Sequence, residues 1–464
     1  MTKTLDRAPV RDLQRTEKTL TRAQVGSVGL LLGIAACATG VSAGVGPLRL
    51  WHLLVLTALL ISQIGVDPRQ ALRFRPNTFD FIVPAFIVTL AVIEAINSED
   101  LRYEYDLGAV LSYAFLFVGY LAARSIGGSR STTLIFLSNF SLPAIPLAFF
   151  SAAQVLGVSG VTTLLLALAP SEGASSRLDD GRLTRATGLV GHWTGFGAYI
   201  LLIVVAATAI LIATHRTDQQ KGGAAPSIRR YRALAGILLI CAFISVIATL
   251  TFSVVLVAAA ILALSARRAG LRVKFVAIAS GISLGAAVVF GTLINSRVEQ
   301  QFGDMKRSTD WLPEWVPNTL SYRVRIWTEE TIPMIQLRPL TGWGNGVYGA
   351  ASGSLETQRL YPPLLAWRSA ESQWLGFAMS YGVIGLVGLL LLILAVIVIL
   401  AKAANQGSSS FVAWPLIVCT AGAVVAAFTV PIFTNRGLPL PLWILFGLAA
   451  ASYLRSAPRN QHRR

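Results

Sequence analysis

Leu389 to Leu400 reads LLLLILAVIVIL, and apolar windows of similar character recur along nearly the whole chain. About 20 such residues span the ~30 Å hydrocarbon core as a helix, which satisfies its own backbone hydrogen bonds where no water can. A transmembrane β-barrel would need alternating segments of about 10 residues, and continuous apolar runs exclude that pattern. Only 13% of the residues are charged, about half the ~25% usual in soluble chains. The sequence is therefore that of an all-α polytopic membrane protein.

We place twelve spans at roughly 25–45, 48–66, 79–97, 107–123, 132–156, 191–213, 233–250, 252–266, 275–295, 376–401, 411–430 and 441–454. The first span follows a long polar tail and runs on into a second, so it is read as an uncleaved helix. This divides the chain into an inner tail (1–24), nine spans (25–295), a large outer loop (296–371), three spans (372–454) and an inner tail (455–464).

The net charge of +17 would suggest nucleic acid in a soluble protein. Here it is topological, because Lys and Arg are retained on the cytoplasmic side. With both termini inside, 25 of the 39 Lys and Arg fall on inner segments, giving an inner face near +19 and an outer face near −1. No nucleic-acid partner is expected. The inner loops are too short for a soluble catalytic domain, so chemistry is expected at the outer face. Internal repeats of the kind transporters are built from are not visible.

Arginines on the outer side run against the positive-inside bias and need a reason. Several cluster beside membrane ends: Arg182 and Arg185 before span six, Arg297 after span nine, Arg323 and Arg325 in SYRVRIW, and Arg436 in FTNRGL. Guanidinium suits bidentate contact with phosphate oxygens and stays charged in a partly dry site; the alternative is snorkelling or pairing with Glu299, Glu329 and Glu330. RPLTGWGNGVYGAASG sets Trp343 and Tyr348 among five glycines, and those rings suit a wet–apolar boundary or a sugar face. No GK[ST] follows, so this is not a nucleotide-binding P-loop.

Of the four histidines only His192 lies outside, near Arg185; it either touches substrate or is structural. No metal-ligand spacing is present, and no cofactor or metal is expected. Cys37, Cys241 and Cys419 lie in apolar runs and read as packing residues. Glu94, inside span three near its outer end, is expected to snorkel, although intramembrane acids are functional candidates by default. Glu371, the last acid before the apolar run of span ten, has two readings. It is a charge favoured at a helix N-terminus, or a general base for an acceptor hydroxyl.

SYRVRIWTEETIPMIQLRPLTGWGNGVYG, Ser321 to Gly349, resembles the R-x-x-x-W … P-L-x-G-W-G signature of the O-antigen ligase and O-antigen polymerase superfamily. ESQWLGFAMSYGVIGLVGLL, Glu371 to Leu390, is similar to its polar motif followed by a Y/L-G-x-x-G-L helix, and RLTRATGLVGHWTGFGAYI, Arg182 to Ile200, resembles a third element. Twelve spans with one large outer loop between spans nine and ten agree with that architecture. The resemblance implies a metal-independent, inverting glycosyltransferase in the bacterial cytoplasmic membrane, with its site on the extracytoplasmic side. Its donor would be an undecaprenyl-diphosphate-linked glycan and its acceptor a glycan or lipid. Membrane lipid, chain-length regulator and flippase proteins would be its partners. The resemblance matches Arg185 and Arg323, and more loosely Arg436, to diphosphate-binding positions.

Two departures stand out. Ligases of this superfamily commonly carry His-Asn where this chain has Glu371-Ser372, which leans toward a polysaccharide polymerase. The Ser-Arg pair expected near span eight is here Ser253-Val254, so one phosphate-binding arginine is missing. The reading is a polymerase of surface polysaccharide (O-antigen, capsule or exopolysaccharide). The alternatives are a ligase of the same type and a polyprenyl-linked glycan flippase.

Overall fold

The computed structural model describes residues 21–45, 48–64, 76–101, 107–171, 185–221, 226–269, 316–345, 369–406, 410–434 and 436–456, with a few isolated positions between. The predicted ninth span and both terminal tails beyond 21 and 456 lie outside the described residues, as do Arg182, Arg297 and Tyr348. Among the described residues the architecture is helical, apart from one two-stranded hairpin.

The helix Trp193–Lys221 is the centre. Its most apolar 18-residue window is wholly buried, as a helix without a polar stripe must be. Around it pack the helices Arg130–Ser141, Pro226–Ala248, Phe252–Ala269 and Ser410–Ala426. A second group brings Thr78–Leu101 against Gln373–Asn405, and Leu107–Ile126 against Leu50–Gln63 and Pro439–Ser456. Cys37, Cys241 and Cys419 are free and buried, as their apolar settings imply.

Among the described residues, five helical stretches are long and apolar enough to cross a membrane: Thr78–Asp100, Arg130–Val155, Trp193–His215, Ser227–Ala248 and Gln373–Asn405. Several other apolar helices are shorter. The all-α membrane class is thus present, while the count of twelve crossings and their orientation stay with the proposal below.

Two boundaries differ from expectation. The first helix stops at Cys37, and the chain then turns through the hairpin Gly44–Val45 and Leu48–Arg49 before helix Leu50–Gln63. The predicted fifth span is two helices, Arg130–Ser141 and Ala144–Val155, joined at Leu142–Pro143; proline has no N–H to continue the ladder.

Asp80 and Arg124 form a buried ion pair at 2.5 Å, with side chains 7% and 5% exposed, and Tyr120 donates to Asp80. Removing one partner strands a desolvated charge. Arg124→Ala is expected to lose about 3 kcal/mol by thermal unfolding in detergent, and an apolar pair at both positions is expected to recover most of it.

Candidate active site at a helix mouth

The helix Gln373–Asn405 is interrupted at Gly382, whose φ of 63° and ψ of −167° lie where essentially only glycine goes. The break exposes backbone groups, and the segment 339–344 satisfies them. Trp343 N–H donates to Met379 O and Gly344 N–H to Ser380 O, both at 2.8 Å; Val383 N–H donates to Pro339 O at 2.8 Å. Gly342, with φ of 67°, packs so closely that a Cβ would lie 2.5 Å from Met379 O. The P-L-x-G-W-G and Y-G-x-x-G-L motifs are thus the two halves of one backbone junction.

The helix Thr78–Leu101 holds that junction from the other side. Glu94 is fully buried and accepts from Asn345 N–H at 2.9 Å. Asn97 donates to Thr341 O, and Arg338 pairs with Asp100 at 2.6 Å. Glu94 therefore does not snorkel; an ionisable side chain is kept here because it fixes a loop backbone. Trp343 is also turned inward: it is 3% exposed, and its indole N–H donates to Met334 O at 2.8 Å. Its ring is packed rather than presented as a sugar-facing surface.

Glu371 stands just before the interrupted helix, which Ser372 N-caps by accepting from Leu375 N–H. Its φ is 51°, and among the described residues only Leu250 (φ 49°) shares positive φ without being glycine. Such strain costs roughly 1–3 kcal/mol and tends to be retained where function requires the geometry. The carboxylate lies 3.2 Å from an Arg323 terminal nitrogen, the two side chains being 36% and 21% exposed. The peptide before it is pinned by Trp327, whose indole N–H donates to Ala370 O at 2.7 Å.

Arg323 lies on helix Asn318–Ile326, followed by a π-helical turn at Trp327–Thr331. Four residues apart, Arg323 and Trp327 share one face, and both reach 370–371. Arg325, two residues on, projects roughly 200° away. It forms an exposed pair with Glu329 at 3.0 Å, which is the pairing alternative for that residue. Tyr322 was not visible in the sequence as a site residue. Its phenol is pushed up by burial and then by Glu371, against the opposing Arg323, so it stays protonated at neutral pH.

Gln373 was also missed. Only 1% exposed, its side-chain oxygen accepts from Phe433 N–H (2.9 Å), Thr434 N–H (3.1 Å) and the Thr434 hydroxyl (3.2 Å). Its own N–H donates to Ala427 O. The glutamine thus fastens the loop before helix Pro439–Ser456 to the mouth that carries Glu371. Arg436 is two residues beyond Thr434, so their Cα atoms are within about 7 Å.

Across that loop lies a basic cluster. Arg185 is 5% exposed; its Nε donates to Thr249 O at 2.8 Å, and a terminal nitrogen donates to the Thr251 hydroxyl at 2.6 Å. Its guanidinium lies over the Trp193 ring at 4.6 Å. Arg185 thus closes the turn 249–251 that leads to Ser253. His192 shares a hydrogen bond with the Thr194 hydroxyl at 2.7 Å. Burial, then Arg185 and Arg436, push its pKa down to about 4.

His192 is therefore neutral at pH 7. The unfolded side chain, with a pKa near 6.5, takes up a proton as pH falls from about 6.5 toward 4, while the folded one resists it. His192 therefore makes stability fall with falling pH across that window. His192→Gln is expected to flatten this slope in thermal unfolding measured from pH 4 to 7. Unchanged curvature would mean the imidazole is not held neutral.

Among the described residues no three His, Cys, Asp or Glu side chains gather as a metal site would require. The structure thus groups Arg323 with Glu371, and Arg185 with His192 and Arg436. It sets Arg325 apart and buries Trp343.

Residues 233–390 match the family described as O-Antigen ligase. No curated protein matches the chain. The matched stretch contains Arg323, both glycines of the junction, Glu371 and Gln373, and leaves Arg185, His192 and Arg436 outside. Glycan transfer of the ligase or polymerase type is the general activity that goes with this family. This match over residues 233–390 supports the likeness to the O-antigen ligase and polymerase superfamily that the motifs carry.

Proposed function

We propose that the protein polymerises undecaprenyl-diphosphate-linked oligosaccharide units into a surface polysaccharide, at the extracytoplasmic side of a twelve-span bacterial cytoplasmic membrane protein. The acceptor hydroxyl oxygen attacks the anomeric carbon from the face opposite the diphosphate, so configuration inverts. The carbon–oxygen bond to the diphosphate breaks, and undecaprenyl diphosphate leaves with the electron pair. Glu371 takes the hydroxyl proton. Arg323, with Arg436 and the guanidinium of Arg185 nearby, stabilises the growing negative charge, a task fixed cations can perform without a metal.

The observation that carries this reading is the strained Glu371, held 3.2 Å from Arg323 on a mouth fastened by Trp327 and Gln373. A carboxylate so placed can orient and deprotonate a hydroxyl beside a cation that receives phosphate. Glutamate here, in place of the His-Asn common in ligases, favours polymerase over ligase.

The test is reconstitution of the purified protein with undecaprenyl-diphosphate oligosaccharide and EDTA, reading glycan length on a gel. A ladder of products is expected. A single product that needs an added lipid or cell-wall acceptor would overturn the polymerase in favour of the ligase. No transfer under any condition would overturn both and reopen the flippase reading.

A further inference from the structure

Three chain segments converge on Val190 at the basic end of the mouth. Gly40, ahead of the 44–49 hairpin, donates its N–H to Leu189 O at 3.1 Å and packs so tightly that a Cβ would collide with Val190 O. On the other side, the Val190 side chain fills the space beside Gly195 and Gly437; a Cβ on those glycines would lie 3.0 and 3.1 Å from its Cγ1. Gly437 also packs directly on the backbone of Gly195. The hairpin that ends in Arg49, the start of helix Trp193–Lys221 and the Arg436 loop are therefore held as one unit.

That unit gathers positive charge, and its described residues include no acid. Arg49 and Arg436 both reach solvent, and neither forms an ion pair among the described residues. The Arg436 pKa is lowered, first by partial burial and then by the charge of Arg49. Two guanidiniums close enough to repel are a liability unless an anion binds between them, and planar guanidinium is well suited to phosphate oxygens. The neighbouring His192 is neutral at pH 7 and adds no further repulsion.

We propose that Arg49, on the hairpin between the first two helices, joins Arg436 as a second guanidinium gripping the donor's diphosphate. This rests on the donor assigned above. Arg49 acts on donor affinity and not on the acceptor proton, because Glu371 belongs to the separate Arg323–Trp327 group.

The test uses the full-length purified protein and inorganic diphosphate as probe, by isothermal titration in neutral detergent. Arg49→Ala is expected to weaken binding roughly tenfold or more, Arg49→Lys less, and Arg436→Ala at least as much as Arg49→Ala. Lys402→Ala, at an exposed position in the last turn of helix Gln373–Asn405, is expected to bind as wild type. In transfer assays, Arg49→Ala is expected to raise the donor KM with kcat within about twofold of wild type.

Wild-type affinity in Arg49→Ala, with loss in Arg436→Ala, would overturn the proposal. So would displacement of diphosphate by phosphatidylglycerol added to the micelles, which would make this a lipid-headgroup site. The two readings fail separately. Arg49-dependent diphosphate binding without transfer would leave this site standing and overturn the transferase. Transfer without Arg49-dependent binding would do the reverse.

Discussion

Gly382→Ala is expected to cost more than about 3 kcal/mol of stability and to yield little monodisperse protein. A side chain at φ 63° and ψ −167° is strained in any surroundings, and here a Cβ would also collide with Leu340 O. Displacing the 339–344 segment would leave Met379 O, Ser380 O and Val383 N–H without their partners. Water is scarce at that depth, so orphaned backbone groups are costly. Gly342→Ala attacks the same junction from the loop side and is expected to behave alike. Gly236→Ala is the comparison: no atom lies within 4 Å of a Cβ there, and a helical glycine replaced by alanine is expected to gain roughly 0.5–1 kcal/mol. Thermal unfolding in detergent measures all three. Equal stability of Gly382→Ala and Gly236→Ala would show that the junction does not hold the fold.

Arg323→Ala is expected to lower glycan transfer by roughly 100-fold or more while the protein remains folded. The guanidinium is half-buried and meets Glu371 with one terminal nitrogen and Thr319 O with the other, the latter at a long 3.4 Å. Its buried Nε has no hydrogen-bond partner among the described residues. The group is thus only partly spent on the protein and has a donor left for a phosphate oxygen. Arg323→Lys keeps the charge but loses the planar fork, and is expected to recover only part of the rate. Because Arg323 and Glu371 act as one unit, the double variant is expected to be scarcely slower than the worse single variant. Full multiplication of the two losses in initial-rate assays would mean that they act independently.

The helices were legible because apolar composition and length dictate them, and eleven of the twelve expected spans overlap a helix or helix pair of the structure. The breaks at Cys37 and Pro143 were not, since an apolar window records hydropathy and not where the ladder stops. The motifs around Gly342 and Gly382 were visible as separate signatures. That they are partners was hidden, because the contact runs through backbone atoms, which carry no residue code.

Gln373 was invisible for a related reason: its acceptors and donors come from a loop 60 residues on. Glu94 looked like a snorkelling acid because the sequence places it near a helix end; only the fold shows Asn345 N–H over it. Trp343 was read from its glycine-rich setting as a surface ring, but its indole is claimed by Met334 O. Arg49 escaped notice at the edge of an apolar window, where its charge looked incidental. Glu371 with Arg323 was legible from motif order, and the structure supplies the contact.

The most direct measurement is the initial rate of glycan transfer from undecaprenyl-diphosphate oligosaccharide by wild type and Glu371→Gln in proteoliposomes with EDTA, with donor binding followed in the same preparation. The amide keeps the size of the carboxylate but cannot take a proton. Transfer is expected to fall by roughly 100-fold or more while donor binding stays within a fewfold of wild type. A Glu371→Gln protein that transfers glycan at the wild-type rate would place the chemistry elsewhere and contradict the role assigned to this mouth.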